Sequence, residues 1–128
     1  MISHVSLGTN DVARAKAFYD AILAVLGYRR IFDHPNAGAW GIDFPTFWVG
    51  RPFDAGRANP GNGVHVCFNA PSRDAVDEFH RVALASGGRD DGLPSLRPQY
   101  TADYYAGFVL DPDANKIEAL CFLNRART

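Results

Sequence analysis

The sequence predicts an α+β fold of two βαβββ modules within a single domain, residues 1–128. Three observations carry that expectation. The segment beginning His4-Val5-Ser6-Leu7, moved forward by 61 positions, falls on His65-Val66-Cys67-Phe68. At the same offset and without a gap, Asp11 meets Ser72, Phe18 meets Phe79, Leu23 meets Leu84 and Gly27 meets Gly88. An internal repeat of this kind fixes the architecture before any other feature does. Each half also passes from strand-like alternation to helical spacing and back. The length, finally, is that of one domain with a real core.

Module 1, about residues 1–55, opens with a strand over 2–7, where Val5 and Leu7 point one way and His4 and Ser6 the other. Thr9-Asn10-Asp11 then offers helix caps. Phe18, Ile22 and Val25 recur at near-helical spacing up to Gly27, and cap, stripe and terminal glycine together define a helix. Three short strands follow, at 28–32, 39–44 and 47–49, punctuated by His34-Pro35-Asn36 and by Pro45. The stretch from Arg51 to Asn62, with two glycines and two prolines, is the expected linker.

Module 2, about residues 61–125, repeats the order. A strand over 64–68 places Val66 and Phe68 opposite His65. Ser72 is an N-cap, and Val76, Phe79 and Ala83 form the stripe of a helix that stops at Gly87-Gly88. Asp90-Asp91-Gly92 and Leu93-Pro94-Ser95 read as a loop. A strand over 104–110, a tight turn at Asp111-Pro112-Asp113-Ala114-Asn115 and a closing strand over 116–123 complete the module. The pattern puts a helix on one face of each sheet and His4, His65 and Glu118 on the other.

Bulk properties exclude several classes. A net charge of -1 gives no electrostatic case for nucleic acid or an anionic membrane. No apolar run approaches the roughly 20 residues of a spanning helix. The first residues lack a signal-peptide pattern, so the protein is expected in the cytoplasm. Cys67 and Cys121 fall on opposite faces if their strands share a sheet, so both thiols are expected to be free, as in a reducing compartment.

Two equivalent strands carrying equivalent histidines can bring both imidazoles to one point if the halves pack about a pseudo-twofold. Glu118 joins them by parity, because Ile117 and Ala119 suit the helix-packed face. A carboxylate in an apolar strand is costly to bury unless paired or coordinated. Two imidazoles and a carboxylate suit Fe(II), Mn(II), Zn(II), Ni(II) or Co(II), with positions left for water and substrate. His4, His65 and Glu118 are therefore the candidate ligands of one divalent metal ion.

With these residues in place the chain resembles the vicinal oxygen chelate superfamily, which includes glyoxalases, extradiol dioxygenases, fosfomycin-resistance enzymes and bleomycin-binding proteins. The resemblance rests on His4 in the first strand, the helix with Phe18-Tyr19 ending at Leu26-Gly27, Gly63-Val64-His65-Val66, and Asp111-Pro112-Asp113-x-Asn115-x-Ile117-Glu118. It implies a glyoxalase-like fold with curved mixed sheets and outer helices. It also implies a homodimer, since related short chains often build the cavity from halves of two subunits. Glyoxalase I resembles this scaffold but adds a fourth protein ligand, a carboxylate on the last strand of the first half. The corresponding place here is Phe47 or Trp48, and the nearest acid, Asp43, precedes Pro45. The three-ligand set is more similar to extradiol dioxygenases or fosfomycin-resistance enzymes, although only scattered arginines are present for a phosphonate. Ala114 stands where the family turn usually has glycine.

Candidate substrate-binding residues are Ser6 and Cys67, by parity with their neighbouring histidines, Trp48 and Tyr100 from the aromatic supply, and Arg97 as partner for an acidic group. Tyr104 and Tyr105 are adjacent on a strand, so only one can face the cavity. His80 suits a surface or half-buried structural role, and His34 an exposed turn. No nucleophile elbow or phosphate-binding loop is present. The expected function is a metal-dependent enzyme, dioxygenase or lyase in type, acting on a small-molecule substrate with vicinal oxygens. The alternative is a metal-free drug-binding protein resembling bleomycin-resistance proteins.

Overall fold

The computed structural model describes residues 1–122 and contains two four-stranded mixed sheets with one helix each. Strand β1 (Val5–Gly8), helix α1 (Val12–Val25), β2 (Arg29–His34), β3 (Ala37–Gly41) and β4 (Pro45–Gly50) form module 1. Strand β5 (His65–Asn69), helix α2 (Arg73–Ala85), β6 (Arg89–Leu96), β7 (Tyr104–Leu110) and β8 (Lys116–Phe122) form module 2. Sheet order is β1-β4-β3-β2 and β5-β8-β7-β6. In each, the first strand pairs in parallel with the last, and the other pairs are antiparallel. The predicted repeat is thus the observed topology. Leu123 and the module boundary near 125 lie outside the described residues.

The helices begin and end where their caps dictate. Asp11 accepts from the Arg14 amide and Ser72 from the Ala75 amide. Gly27 and Gly87, at φ +89 and +100, take the left-handed turn that ends each helix. The apolar stripes then meet. Phe18, Ile22 and Leu23 of α1 and Val76, Phe79 and Ala83 of α2 share one buried cluster with inward residues of both sheets. Phe47 of module 1 stands edge-on to Phe68 of module 2 at 5.0 Å. A common core on the helical side leaves the opposite face of each sheet open.

Several boundaries differ from the sequence expectation. The segment read as a loop at Asp90–Ser95 is strand β6, an edge strand with register shifts around Gly92. Pro94 and Gly92 break its alternation, and an edge position tolerates both. Strand β3 ends at Gly41, before Ile42–Phe44, and β4 starts on Pro45 itself, a permitted first residue of a strand. Strand β1 begins at Val5, so His4 sits one residue ahead of it. His80 is buried rather than half-exposed, with Nε2 2.8 Å from Asp90 Oδ1.

The Asp111–Asn115 turn does more than reverse the chain. Asp111, buried, accepts from the amides of Asp113 and Asn115, from Asn115 Nδ2 and from Tyr19 OH at 2.5 Å. Asp113 accepts from Thr9 Oγ1, the Asn10 amide and Arg14 Nη2. Asn115 Nδ2 donates to Gly8 O. Helix α1 has no acidic residue in its first turn, and Asp113 adds a second carboxylate beside the N-cap Asp11 from the other module.

Candidate active site

The open face of sheet 2 is built by register. His65 lies opposite Lys116 and Cys67 opposite Glu118 across β5 and β8. On the other side of β8, Phe108 pairs with Glu118, Ala106 with Leu120 and Tyr104 with Phe122. All of these side chains share one face by alternation. Ile117 and Ala119 point the other way, into the core, which turns Glu118 outward as its parity predicts.

Glu118 is nevertheless only 1% exposed. A buried carboxylate needs partners, and it has two. His65 Nε2 lies 3.0 Å from Oε1, and Tyr104 OH donates to Oε2 at 2.5 Å. Phe108, Leu120 and Ala106 form an apolar floor around them, bordered by Tyr104 and Phe122. Tyr100 stands edge-on to Tyr104 at 5.0 Å. Desolvation, then the hydrogen bond to Glu118, pushes the Tyr104 phenol well above its ordinary range. Cys67 is exposed on the sheet face, yet desolvation of its thiol and the adjacent Glu118 charge push it up as well. Cys121 lies on the opposite face against the core, and both thiols are free.

Of the two adjacent tyrosines, Tyr104 faces this site. Tyr105 turns to the helical side, where its hydroxyl donates to Asp77 Oδ1 at 2.5 Å and Arg73 stacks over its ring. The hydrogen bond to Asp77, with desolvation, pushes its phenol up to about 12. Tyr105 therefore drops out of the candidate substrate contacts.

His4, Ser6 and Trp48 occupy the open face of sheet 1 instead. Ser6 pairs with Trp48 across β1 and β4, and Ser6 borders a cleft of about 590 Å³ with Arg51 and Arg57. The His4 ring lies 6.2 Å from the Trp48 ring, and its Nδ1 is 3.0 Å from Ser3 Oγ. Phe47 is in the core, and Asp43 is exposed in the turn before β4. Within the chain, then, His65, Glu118, Tyr104 and Cys67 come together and His4 does not join them. Among the described residues no three His, Cys, Asp or Glu side chains gather to hold an ion.

Two contributors escaped the sequence reading. Lys116 shares the parity of Glu118, and its Nζ lies 5.0 Å from the centroid of the Phe108 ring. The Arg97 guanidinium lies 5.2 Å from the same ring. Parity with Glu118 was the available signal for Lys116, whereas Phe108 becomes visible only through the register of β7 on β8.

The family model described as Glyoxalase/Bleomycin resistance protein/Dioxygenase superfamily matches residues 1–119. The chain belongs to this superfamily. A glyoxalase/bleomycin resistance protein from Albidiferax ferrireducens T118 is similar at 35% identity and a TM-score of 0.84, over 93% of this chain and 96% of that one. A glyoxalase-related enzyme from Fulvimarina pelagi shares the fold at 20% identity and a TM-score of 0.74, covering 94% and 87%. A lactoylglutathione lyase from Agrobacterium tumefaciens does so at 21% and 0.67, covering 94% and 92%. No curated protein matches the chain. Superfamily members include lyases and dioxygenases. No helix is long and apolar enough to cross a membrane among the described residues.

Proposed function

We propose that the chain is a divalent-metal-dependent enzyme, dioxygenase- or lyase-type, acting on a small molecule with vicinal oxygens and working as a homodimer. One observation carries this reading: Glu118, buried on an otherwise apolar open face, lies with Oε1 3.0 Å from His65 Nε2. Two donors, each about 2.1 Å from one ion and at right angles to it, stand ~3 Å apart, so this pair fits neighbouring positions on a metal. Among the described residues no second imidazole or carboxylate joins this pair. The third, His4, lies on the open face of the other sheet, and the reading therefore takes it from a second copy of the chain. The ion would be Fe, Mn, Zn, Ni or Co, and when bound it supplies Lewis-acid polarisation of the substrate oxygens.

The chain's own groups set the conditions. Tyr104 OH fixes Oε2 of Glu118, which leaves Oε1 beside His65. Phe108 and Leu120 exclude water from beneath the substrate. Metal content by mass spectrometry on tag-free protein is the test, with His4→Ala, His65→Ala and Glu118→Gln beside it. Roughly one divalent ion per chain, lost in all three variants, is the expected result for a three-donor site. A protein that binds none of the five metals would overturn the reading.

A second reading has one observation in its favour. Glu118 is satisfied by His65 and Tyr104 without any ion, and such a face suits a metal-free cleft that binds a drug-like molecule. Failure of the metal test together with binding of an aromatic ligand would select it.

A further inference from the structure

We propose that Lys116, supported by Arg97 across the Phe108 ring, binds a carboxylate of the substrate. The substrate class becomes a flat, apolar carboxylic acid bearing two adjacent oxygens. The inference extends the proposed function, because it places those oxygens at His65 and Glu118, but it has its own physical basis.

Lys116 and His65 are paired across β5 and β8 and line one cleft of about 510 Å³, with Gly63, Val64 and Ala114 on its walls. A ligand reaching His65 from this cleft passes the ammonium group. Phe108, the strand partner of Glu118, is flanked by two cations, Lys116 and Arg97, each about 5 Å from its centroid. An aromatic face accepts cations but leaves their hydrogen-bonding capacity unspent. Arg97 Nε is buried and has no acceptor among the described residues, while Nη2 donates to Leu93 O. A buried donor without a partner calls for one.

The acids nearby do not fill this need. Asp91 Oδ2 lies 3.3 Å from Lys116 Nζ, but both side chains are more than a third exposed, and such pairs are weak and readily exchanged. Asp90 is engaged by His80 and by the Gly92 amide. A ligand carboxylate can therefore take the place beside Lys116 that Asp91 half fills. Phe108, the strand partner of Glu118 and about 5 Å from both cations, suits a planar body that reaches from that carboxylate to the His65–Glu118 pair.

Calorimetric titration of the full-length protein with catechol, benzoate and 3,4-dihydroxybenzoate tests this, without metal and after loading with Co(II). Both carboxylates are expected to bind in either state, and 3,4-dihydroxybenzoate more tightly than catechol. Lys116→Met should weaken both carboxylates by roughly tenfold or more and change catechol by less than about twofold, the scale of one charge-assisted hydrogen bond. Lys116→Arg should restore binding, and Arg97→Met should give a smaller loss in the same direction. Melting curves of the variants exclude misfolding. The inference falls if neither carboxylate binds, if catechol and 3,4-dihydroxybenzoate bind alike, or if Lys116→Met weakens all three probes equally. Co(II) reports separately on the chelating site. It should tighten catechol and 3,4-dihydroxybenzoate but not benzoate. Should it tighten none while Lys116→Met still discriminates, the metal reading fails and the anion subsite stands.

Discussion

Trp48 and Glu118 hold the same place in the two sheets, and nearly every chemical difference between the modules starts there. Ser6 pairs with Trp48 as Cys67 pairs with Glu118. The next strand carries Ala39 opposite Trp48 but Phe108 opposite Glu118, and the strand beyond carries Phe32 opposite Ala39 but Gly92 opposite Phe108. Large and small have changed places. In module 1 the Phe32 ring leans on Trp48 at 5.0 Å, and Ser6 and an exposed His4 share the open face with them. In module 2 the carboxylate is buried between His65 and Tyr104. A duplicated backbone thus holds two different half-sites, one acidic and one without an acid.

The turns before the last strands differ just as much. Ile42–Phe44 of module 1 is exposed, whereas Asp111–Asn115 of module 2 is tied to the β1–α1 junction and to Tyr19. Asp111→Ala should have the largest effect on stability, because it strands the fully buried Tyr19 hydroxyl and three donors of the turn. The expected cost is about 3–5 kcal/mol, measured by urea denaturation. A loss no greater than that of a surface substitution would show that the clamp is incidental. The pH dependence has a definite sign. Burial raises the Asp111 pKa, against the opposing hydrogen bonds from Tyr19, Asn115 and the backbone. Its ionisation is therefore harder in the folded state than in the unfolded one. The stability of the native protein relative to Asp111→Asn should fall as pH climbs from about 4 through the raised pKa. A difference that is flat or grows with pH would contradict the buried placement.

Removing the hydroxyl that holds Glu118 probes module 2 more gently. Tyr104→Phe leaves the ring packed on Phe122 and Tyr100 but withdraws a donor from a buried carboxylate. The expected loss is about 1–2 kcal/mol, read as a lower denaturation midpoint. Trp48→Phe removes the indole donor to Pro45 O at the matching place in module 1, and should cost less. Equal costs would erase the asymmetry between the faces.

Much of this was legible in the sequence for identifiable reasons. The offset that aligns His4 with His65 gave the topology, since equal strands and caps at equal spacing build equal modules. Glu118 was legible because Ile117 and Ala119 could only face the core. The choice between Tyr104 and Tyr105 was not, because adjacent strand residues are equivalent until a neighbouring strand sets the register. Strand β6 was hidden by Pro94 and Gly92, residues that break alternation without preventing edge pairing. Phe108, with Lys116 and Arg97 beside it, depends on pairings between separate strands. His4 illustrates the remaining gap. The same side-chain pattern serves whether two open faces meet within a chain or between chains, so periodicity placed His4 on an open face without telling which face it meets.

His4 and His65 therefore offer the sharpest contrast, and His4 the smallest expected change in stability. His4 is exposed and touches only Ser3 and Trp48 among its described hydrogen-bond and ring contacts, so His4→Ala should shift stability by less than about 0.5 kcal/mol. His65→Ala removes one of two partners of a buried carboxylate and should cost about 1–3 kcal/mol. Both should abolish metal binding if a second copy brings His4 to the His65–Glu118 pair. Mixing the two variants then restores sites in a homodimer, because half of the hybrid dimer's faces carry both histidines intact. Metal recovered on mixing would establish a site shared between chains. No recovery, with each variant folded and dimeric, would rule out a site shared between chains.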